Sequence, residues 1–258
     1  MRRLWYLLAL YALVVIYTQT FFVRGMRPPL WITPLATLIG FVLVLLHAMQ
    51  RLGRSAALLL LGSTAVVSFI FEAVGVATGL VYGPYHYTDR LGPRLLDVPF
   101  LIPLAWFLMA YPSYLFAQTL APRTSSFRRA LWVAALSGLI MTSWDLVMDP
   151  QMVKGDHWVW EVEGPYFGIP LRNFWGWWLT IFVAILLFYL LNRPANRWEP
   201  RQEDAIPWLV YFLTGGASTF ASFFIGLEGT GVVGIFVLLP WLVLTFPYFF
   251  PRLFQDAG

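Results

Sequence analysis

Three carboxylates, Glu72, Asp145 and Asp149, lie within or at the edges of long apolar stretches of the sequence. A carboxylate at membrane depth is costly unless it faces a partner, water or a substrate, so it predicts a functional site. Asp145 and Asp149 are about one helical turn apart, and two ionised groups at that distance repel each other. One can therefore hold a proton while the other accepts one, as general acid and general base catalysis requires. We predict that all three residues are catalytic.

Helical spacing places Glu72 on the same face as Gly75 and Gly79. Two small residues four positions apart allow a second helix to approach closely, so Glu72 is expected to point into a helical bundle rather than into lipid. The alternative is a structural role, in which Glu72 is a buried carboxylate hydrogen-bonded to a neighbouring helix.

A second stripe on one helical face places Gly138 and Thr142 ahead of Asp145 and Asp149. We favour an acid–base pair for the two aspartates, with Asp145 as the proton donor held by Asp149 or Glu72. The alternative for Asp149 is a place at a helix end before Pro150, where its carboxylate makes turn hydrogen bonds.

Aromatic and polar side chains surround these carboxylates in the sequence and predict an aromatic-lined substrate pocket. The alternatives are an interfacial aromatic belt and, for the asparagine, a helix cap. The predicted substrate-binding residues are Tyr82, Tyr85, His86, Trp106, Tyr111, Trp144, Trp158, Trp160, Tyr166, Asn173 and Trp177.

The composition is that of an integral membrane protein, because 59% of the 258 residues are hydrophobic and 12% are charged. Apolar stretches long enough to span a bilayer recur at roughly 4–23, 30–50, 56–78, 98–120, 128–149, 174–192, 205–225 and 231–250. They predict an all-α polytopic membrane bundle of about eight helices. We expect one domain over 1–258, with a retained first helix and a catalytic region at 70–180. The absence of cysteine excludes disulfides, thiolate metal sites and a cysteine nucleophile.

The basic residues predict an orientation. The side with the N-terminus, the even-numbered connections and the C-terminus carries Arg2, Arg3, Arg51, Arg54, Arg123, Arg128, Arg129, Arg193, Arg197, Arg201 and Arg252, most of the 17 basic residues. The positive-inside rule makes this side cytoplasmic. Of the acidic residues, only Glu199, Glu203, Asp204 and Asp256 belong to it. The remaining acids cluster towards the opposite face and indicate a site there.

Two connections at that opposite face look structured. The first is rich in tyrosine, from Tyr82 to Tyr87. In the second, Trp158 and Trp160 alternate with Val159 and Glu161, which predicts a short strand. We expect a short hairpin or re-entrant loop over the helices, between the fifth and sixth spans.

Six stretches within residues 70–180 resemble the CruF-type carotenoid hydratase family, which includes carotenoid 1,2-hydratase and bisanhydrobacterioruberin hydratase-like membrane proteins. They are Phe71-Glu72-Ala73-Val74-Gly75; Thr78-Gly79 with Tyr82-Gly83-Pro84-Tyr85; Pro103-Leu104-Ala105-Trp106-Phe107 with Tyr111-Pro112; Trp144-Asp145-Leu146-Val147-Met148-Asp149-Pro150; Trp158-Val159-Trp160; and Tyr166-Phe167-Gly168-Ile169-Pro170-Leu171-Arg172-Asn173-Phe174 with Gly176-Trp177-Trp178.

This resemblance implies a hydro-lyase of carotenoid biosynthesis in a bacterial or archaeal plasma membrane. It would add water to the terminal C1=C2 bond of an acyclic end group, in γ-carotene, lycopene or a C50 precursor. The residues suit that chemistry, because an acid can protonate the alkene and a second carboxylate can take the proton of the attacking water. Aromatic faces and a dry site would stabilise the cation. The expected partners are the lipid-soluble substrate, water and membrane lipids, with no cofactor, metal or nucleic acid.

Two other functions remain open at this point. Asp145 and Asp149 also resemble one of the two aspartate motifs with which UbiA-type prenyltransferases bind magnesium and a prenyl diphosphate, although a second motif is absent. A carotenoid-binding or transport protein without catalysis is the other. Turnover of purified protein without a second substrate would separate both from a hydratase.

Overall fold

The computed structural model describes residues 2–192 and 198–251. Within these ranges the long helices are α1 (Arg2–Val23), α2 (Ile32–Leu52), α3 (Arg54–Thr78), α4 (Leu101–Leu120), α5 (Ser126–Lys154), α6 (Leu171–Asn192), α7 (Ala205–Ser222) and α8 (Glu228–Phe249). The predicted all-α membrane bundle is confirmed, and each predicted span has its helix. Four of the charged residues on which the predicted orientation rests, Arg193, Arg197, Arg252 and Asp256, lie outside the described residues.

Seven of the eight described helices are long and apolar enough to cross a membrane. The other is α7, in which Gly215, Gly216, Ser218 and Thr219 dilute the apolar residues. Helix α7 nevertheless packs against α1, α4, α5 and α8. It is therefore an integral part of the bundle.

Burial separates a central helix from a peripheral one. In α4, 78% of the most apolar window is buried inside the protein, whereas the corresponding share of α1 is 17%. Helix α1 packs against α2 and α7 along one side. Its opposite side exposes large apolar residues such as Leu13 and Ile16, as expected for a helix at the lipid-facing perimeter.

The two structured connections pair with each other. Strand β1 (Tyr85–Tyr87) follows α3, and strand β4 (Trp158–Trp160) follows α5; the two are antiparallel, with Tyr85 opposite Trp160 and Tyr87 opposite Trp158. A second small pair, β2 (Arg94–Leu95) and β3 (Val98–Pro99), leads into α4. The β1–β4 ribbon, called the lid below, covers the ends of α3 and α5. The predicted strand thus exists, but its main partner comes from another connection.

The sequence predicts that α5 ends at Asp149. The helix instead continues through Pro150 to Lys154. Proline has no backbone N–H, so the carbonyl of Leu146 lacks its usual helical donor at position 150. The hydroxyl of Tyr166 donates a hydrogen bond to that carbonyl at 2.8 Å. This replacement donor allows the helix to pass the proline and holds Asp149 in helical geometry.

The sequence predicts that a second helix packs against the glycines near Glu72. In the structure an aromatic side chain occupies that space instead. A Cβ on Gly75 would lie 2.8 Å from the ring of Tyr82, and one on Gly176 would lie 2.5 Å from the same ring. Gly79 ends α3 with a left-handed φ of 68°, a conformation that glycine adopts readily. The small residues therefore make room for an aromatic ring between α3 and α6.

Candidate active site

Glu72 is buried and accepts hydrogen bonds from three neutral donors. The hydroxyl of Tyr87 donates at 2.8 Å and the indole N–H of Trp106 at 3.0 Å, and the hydroxyl of Tyr85 is the third donor. An ionised carboxylate only accepts hydrogen bonds, so three donors match its charged form. No cation neutralises it among its hydrogen-bond partners.

The two tyrosines belong to the lid and remain hydroxyl donors at neutral pH. Burial, followed by the nearby charge of Glu72, raises the pKa of both Tyr85 and Tyr87 well above its ordinary value. They alternate with His86, whose side chain points outward from the strand. The strand period thus brings two hydroxyls to one carboxylate.

Asp145 and Asp149 are joined by a single side chain. The amide Nδ2 of Asn173 donates to Asp145 Oδ2 at 2.9 Å and to Asp149 Oδ2 at 2.8 Å. The indole of Trp158 donates to Asp149 Oδ1 at 2.6 Å. Asp145 Oδ1 has no hydrogen-bond partner within residues 2–192 and 198–251. Asp149 is therefore the better-supported carboxylate of the pair, and Asn173 holds the two together.

A cavity of about 220 Å³ lies between these groups, with Glu72 and Asp149 both in its wall. Its aromatic lining includes a stack of Trp106 on Trp177, with ring centroids 4.2 Å apart. The ring of Trp144 meets Trp177 edge-on at 6.0 Å. The cavity can therefore place an apolar group between two carboxylate centres and against aromatic faces.

Comparison with known proteins shows the family to which the chain belongs. Residues 32–240 match the profile of the family described as "Carotenoid biosynthesis protein". The chain belongs to this carotenoid biosynthesis family. It is 32% identical over 209 residues to the bisanhydrobacterioruberin hydratase of Haloarcula japonica, an alignment that covers 76% of this chain and 69% of that protein. No solved structure matches the chain.

The family match confirms the resemblance seen in the sequence and extends it. The matching motifs lie within 70–180, whereas the family profile reaches from α2 into α8. The protein is a hydratase-like member of this family, built from apolar membrane helices.

Most of the predicted site residues of this family member meet at the cavity. Those in its wall are Glu72, Tyr82, Tyr85, Trp106, Trp144, Asp149, Trp158, Trp160, Asn173 and Trp177. They come from α3, α4, α5, α6 and both lid strands, so residues far apart in sequence share one chamber.

Four predicted residues lie outside the cavity wall. Asp145 is fully buried behind it and contacts Asn173. His86 faces away from the lid and lies 3.2 Å from Glu161. Tyr166 bonds the backbone of Leu146. The hydroxyl of Tyr111, on α4, lies 2.8 Å from His47 on α2.

The cavity residues that are absent from the sequence-based set include Tyr87, Met148 and Gln151, close to the carboxylates. Tyr87 could have been found, because it follows Tyr85 by two residues and a strand places both on one face. Met148 and Gln151 flank Asp149 on α5 but carry no motif. Their role depends on helix orientation, which one helix alone does not fix.

The described part of the chain has no cluster of three or more histidine, aspartate or glutamate side chains that could hold a metal ion. The oxygens of Glu72 and Asp149 are instead directed at O–H and N–H donors. The arrangement is one of carboxylates, hydroxyls and indoles around an apolar space.

Proposed function

We propose that this protein hydrates the terminal C1=C2 double bond of an acyclic carotenoid end group and so forms a tertiary alcohol. The observation that carries the proposal is the placement of Glu72 and Asp149 in the wall of one aromatic cavity. The name of the relative, bisanhydrobacterioruberin hydratase, supports the same reaction class. Lycopene, γ-carotene and C50 precursors are the substrates proposed.

The first step is protonation of the alkene by the aspartate pair. Asp149 delivers the proton, since it reaches the cavity and Asp145 does not. The alkene electrons form the C2–H bond, which leaves a tertiary cation at C1. Asp145 acts through Asn173 as a positioning residue. The sequence alone favours Asp145 as the donor, and the cavity geometry favours Asp149 for that role.

The second step is capture of the cation by water. The faces of Trp106, Trp177 and Trp144 stabilise positive charge at C1, as does the anionic Glu72. Water forms the C1–O bond and releases its proton to Asp149, which is then ready for another turnover. Glu72 is less suited to accept that proton, because its oxygens already accept three hydrogen bonds.

The proposed orientation places the chemistry near the outer face of a bacterial or archaeal plasma membrane. Glu72 lies near the end of α3, Asp149 near the end of α5, and Asn173 near the start of α6. All three ends share the face opposite the basic side, which the positive-inside rule makes cytoplasmic. The termini are then cytoplasmic, and the lid separates the site from external water.

The test is pigment analysis by chromatography and mass spectrometry in bacteria that make lycopene, γ-carotene or a C50 acyclic carotenoid and express this chain. We expect a pigment heavier by one water, absent with Asp149→Asn and strongly reduced with Glu72→Gln. Incubation of the purified protein with unlabelled lycopene in D₂O should place one deuterium at C2. Folded, well-expressed protein that hydrates none of these carotenoids would overturn the proposal. Addition of a C5 unit with a prenyl diphosphate and magnesium would replace it with a prenyltransferase.

A further inference from the structure

The cavity does not end at the carboxylates. It continues as a limb between α1, α2 and α7, where its wall includes Val15, Thr18, Gln19, Ala36, Ala217 and Ala221. These residues are far from the matching motifs of the sequence. None of them is needed to hold Glu72 or Asp149, so the limb calls for a separate explanation.

The limb is more apolar than its residue types suggest. The hydroxyl of Thr18 donates to the carbonyl of Val14 at 2.8 Å, and that of Thr214 donates to the carbonyl of Val210 at 2.6 Å. Threonine hydroxyls bonded to their own helix leave their methyl groups as the more available surface. Together with the alanines, they form a smooth wall suited to a hydrocarbon chain.

The limb meets an outer groove at Gln19. This side chain lines both the cavity and a groove between α1 and α7, whose other lining residues are Ile16, Thr20, Val23, Arg24 and Phe220. Ile16 is 57% exposed and Val23 51% exposed. Large exposed apolar residues on a membrane helix face lipid. The groove is therefore a side opening towards the hydrocarbon region.

We propose that the carotenoid enters sideways from the membrane between α1 and α7, and that its polyene lies in the limb past Gln19 while the end group reaches Asp149. This inference rests on the proposed function for the identity of the ligand. A substrate that dissolves only in lipid needs no aqueous route. The limb residues Ala36, Ala217 and Ala221 would then determine which polyenes fit.

A second groove also reaches the cavity wall, at Leu91 and Leu101, and passes between α2 and the connection before α4. Its wall includes Asp89 and Arg90. Ionised side chains favour the aqueous border over the hydrocarbon region. This groove has two ionisable residues, against Arg24 alone in the groove at Gln19, so it is the less suited of the two to a polyene and serves as the competing route in the test.

The absence of cysteine makes a single-thiol test straightforward. Gln19→Cys, Leu104→Cys and Met26→Cys are prepared in the Asp149→Asn background and placed in lipid nanodiscs. Leu104 lines the second groove, and Met26 lies in the connection after α1, outside both grooves. Each thiol is labelled with a maleimide, with and without lycopene in the lipid.

Lycopene is expected to slow labelling of position 19 by about tenfold, a difference that corresponds to about 1.4 kcal/mol of protection. Labelling at positions 104 and 26 should not change. Protection of position 104 alone would move the opening to the second groove, and protection of neither would overturn a lateral route. The Asp149→Asn background reports binding alone. Protection at position 19 without any hydration by the native chain would therefore contradict the proposed hydratase activity and support carotenoid binding in the limb.

Labelling in the active background gives an independent readout. Attachment of the bulky maleimide at Gln19→Cys should abolish turnover of lycopene, measured on the same sample before and after labelling. The same reagent on the cysteine-free chain and on Met26→Cys should leave turnover unchanged. Full activity after complete labelling at position 19 would contradict the proposed path.

Discussion

Individual hydrogen-bond donors decide what the three carboxylates can do. Glu72 has three donors, Asp149 has two, and Asp145 has one. A buried carboxylate depends strongly on such donors, because a charged group left without them is costly. In the proposed reaction, the different donor sets would give chemically similar side chains different tasks, with Glu72 surrounded by donors that stabilise a negative charge and Asp149 exchanging a proton.

Asn173→Leu removes the amide that joins the aspartates while keeping a similar volume. We expect the turnover number to fall by about 10²-fold, as is typical when one preorganised donor at a reacting group is lost. The Michaelis constant should change little, because Asn173 contributes one of many lining groups. Steady-state kinetics in nanodiscs measure both, with Leu171→Ala on the exposed start of α6 as the matched control. An unchanged turnover number would contradict a positioning role for Asn173.

Tyr87→Phe removes one of the three donors to Glu72. The loss of a hydrogen bond to a charged group is worth about 1.5–3 kcal/mol, so hydration should slow by about ten- to hundredfold. The rate is measured from pigment formation at equal protein levels. Tyr6→Phe, at a tyrosine that is 72% exposed, should have no effect. Equal rates for Tyr87→Phe and the native chain would show that Glu72 is not part of the reaction.

At the scale of elements, side chains from the connections contact α3 and α5 at the carboxylates and at Pro150. Trp158 of β4 reaches Asp149, Tyr85 and Tyr87 of β1 reach Glu72, and Tyr166 supplies the donor that Pro150 lacks. Burial raises the pKa of Tyr166 to about 12, so its hydroxyl keeps its proton across the working pH range. Secondary structure that looks peripheral therefore sets the geometry of the helix that carries both aspartates.

Tyr166→Phe should lower the stability of the protein by about 1 kcal/mol through the unsatisfied carbonyl of Leu146. Pro150→Ala in the same chain restores a backbone N–H to that carbonyl and should recover much of the loss. Thermal unfolding of the single and double variants completes a mutant cycle. Additive effects would show that Tyr166 and Pro150 do not share this carbonyl.

At the scale of the whole molecule, the bundle separates two polar ends. The lid and the carboxylates occupy one end. At the other, His47 approaches Tyr111 at 2.8 Å, and Arg51 forms a 2.8 Å ion pair with Asp204. Burial raises the pKa of Asp204, and the bond to Arg51 opposes that rise. These contacts tie α2 and α4 to the start of α7, so they stabilise the end opposite the three carboxylates.

The proposed orientation has a direct test in the cysteine-free chain. Asp97→Cys lies in the connection before α4, and Ser125→Cys lies between α4 and α5, and both native side chains are exposed. A membrane-impermeant maleimide should label position 97 in intact spheroplasts and position 125 only after lysis. The reverse pattern would place the lid in the cytoplasm and contradict the positive-inside assignment.

The helices and the carboxylates were predictable because each depends on local pattern. Bilayer thickness fixes the length of an apolar span, and helical spacing alone puts Asp145 and Asp149 on one face. The sequence could not show that Asn173 bridges them, because that contact depends on how α5 packs against α6. The pairing of β1 with β4 was missed for a similar reason, since it joins two connections separated by α4 and α5.

One consequence follows from the lid contributing its own side chains to both carboxylate centres. If the lid moves away, Glu72 loses its hydrogen bonds from Tyr85 and Tyr87, Asp149 loses that from Trp158, and water enters the cavity. In the proposed reaction, an open chamber would therefore be inactive, and only a closed one would protonate a double bond. Such coupling would confine protonation of the polyene to times when the lid is closed over the chamber.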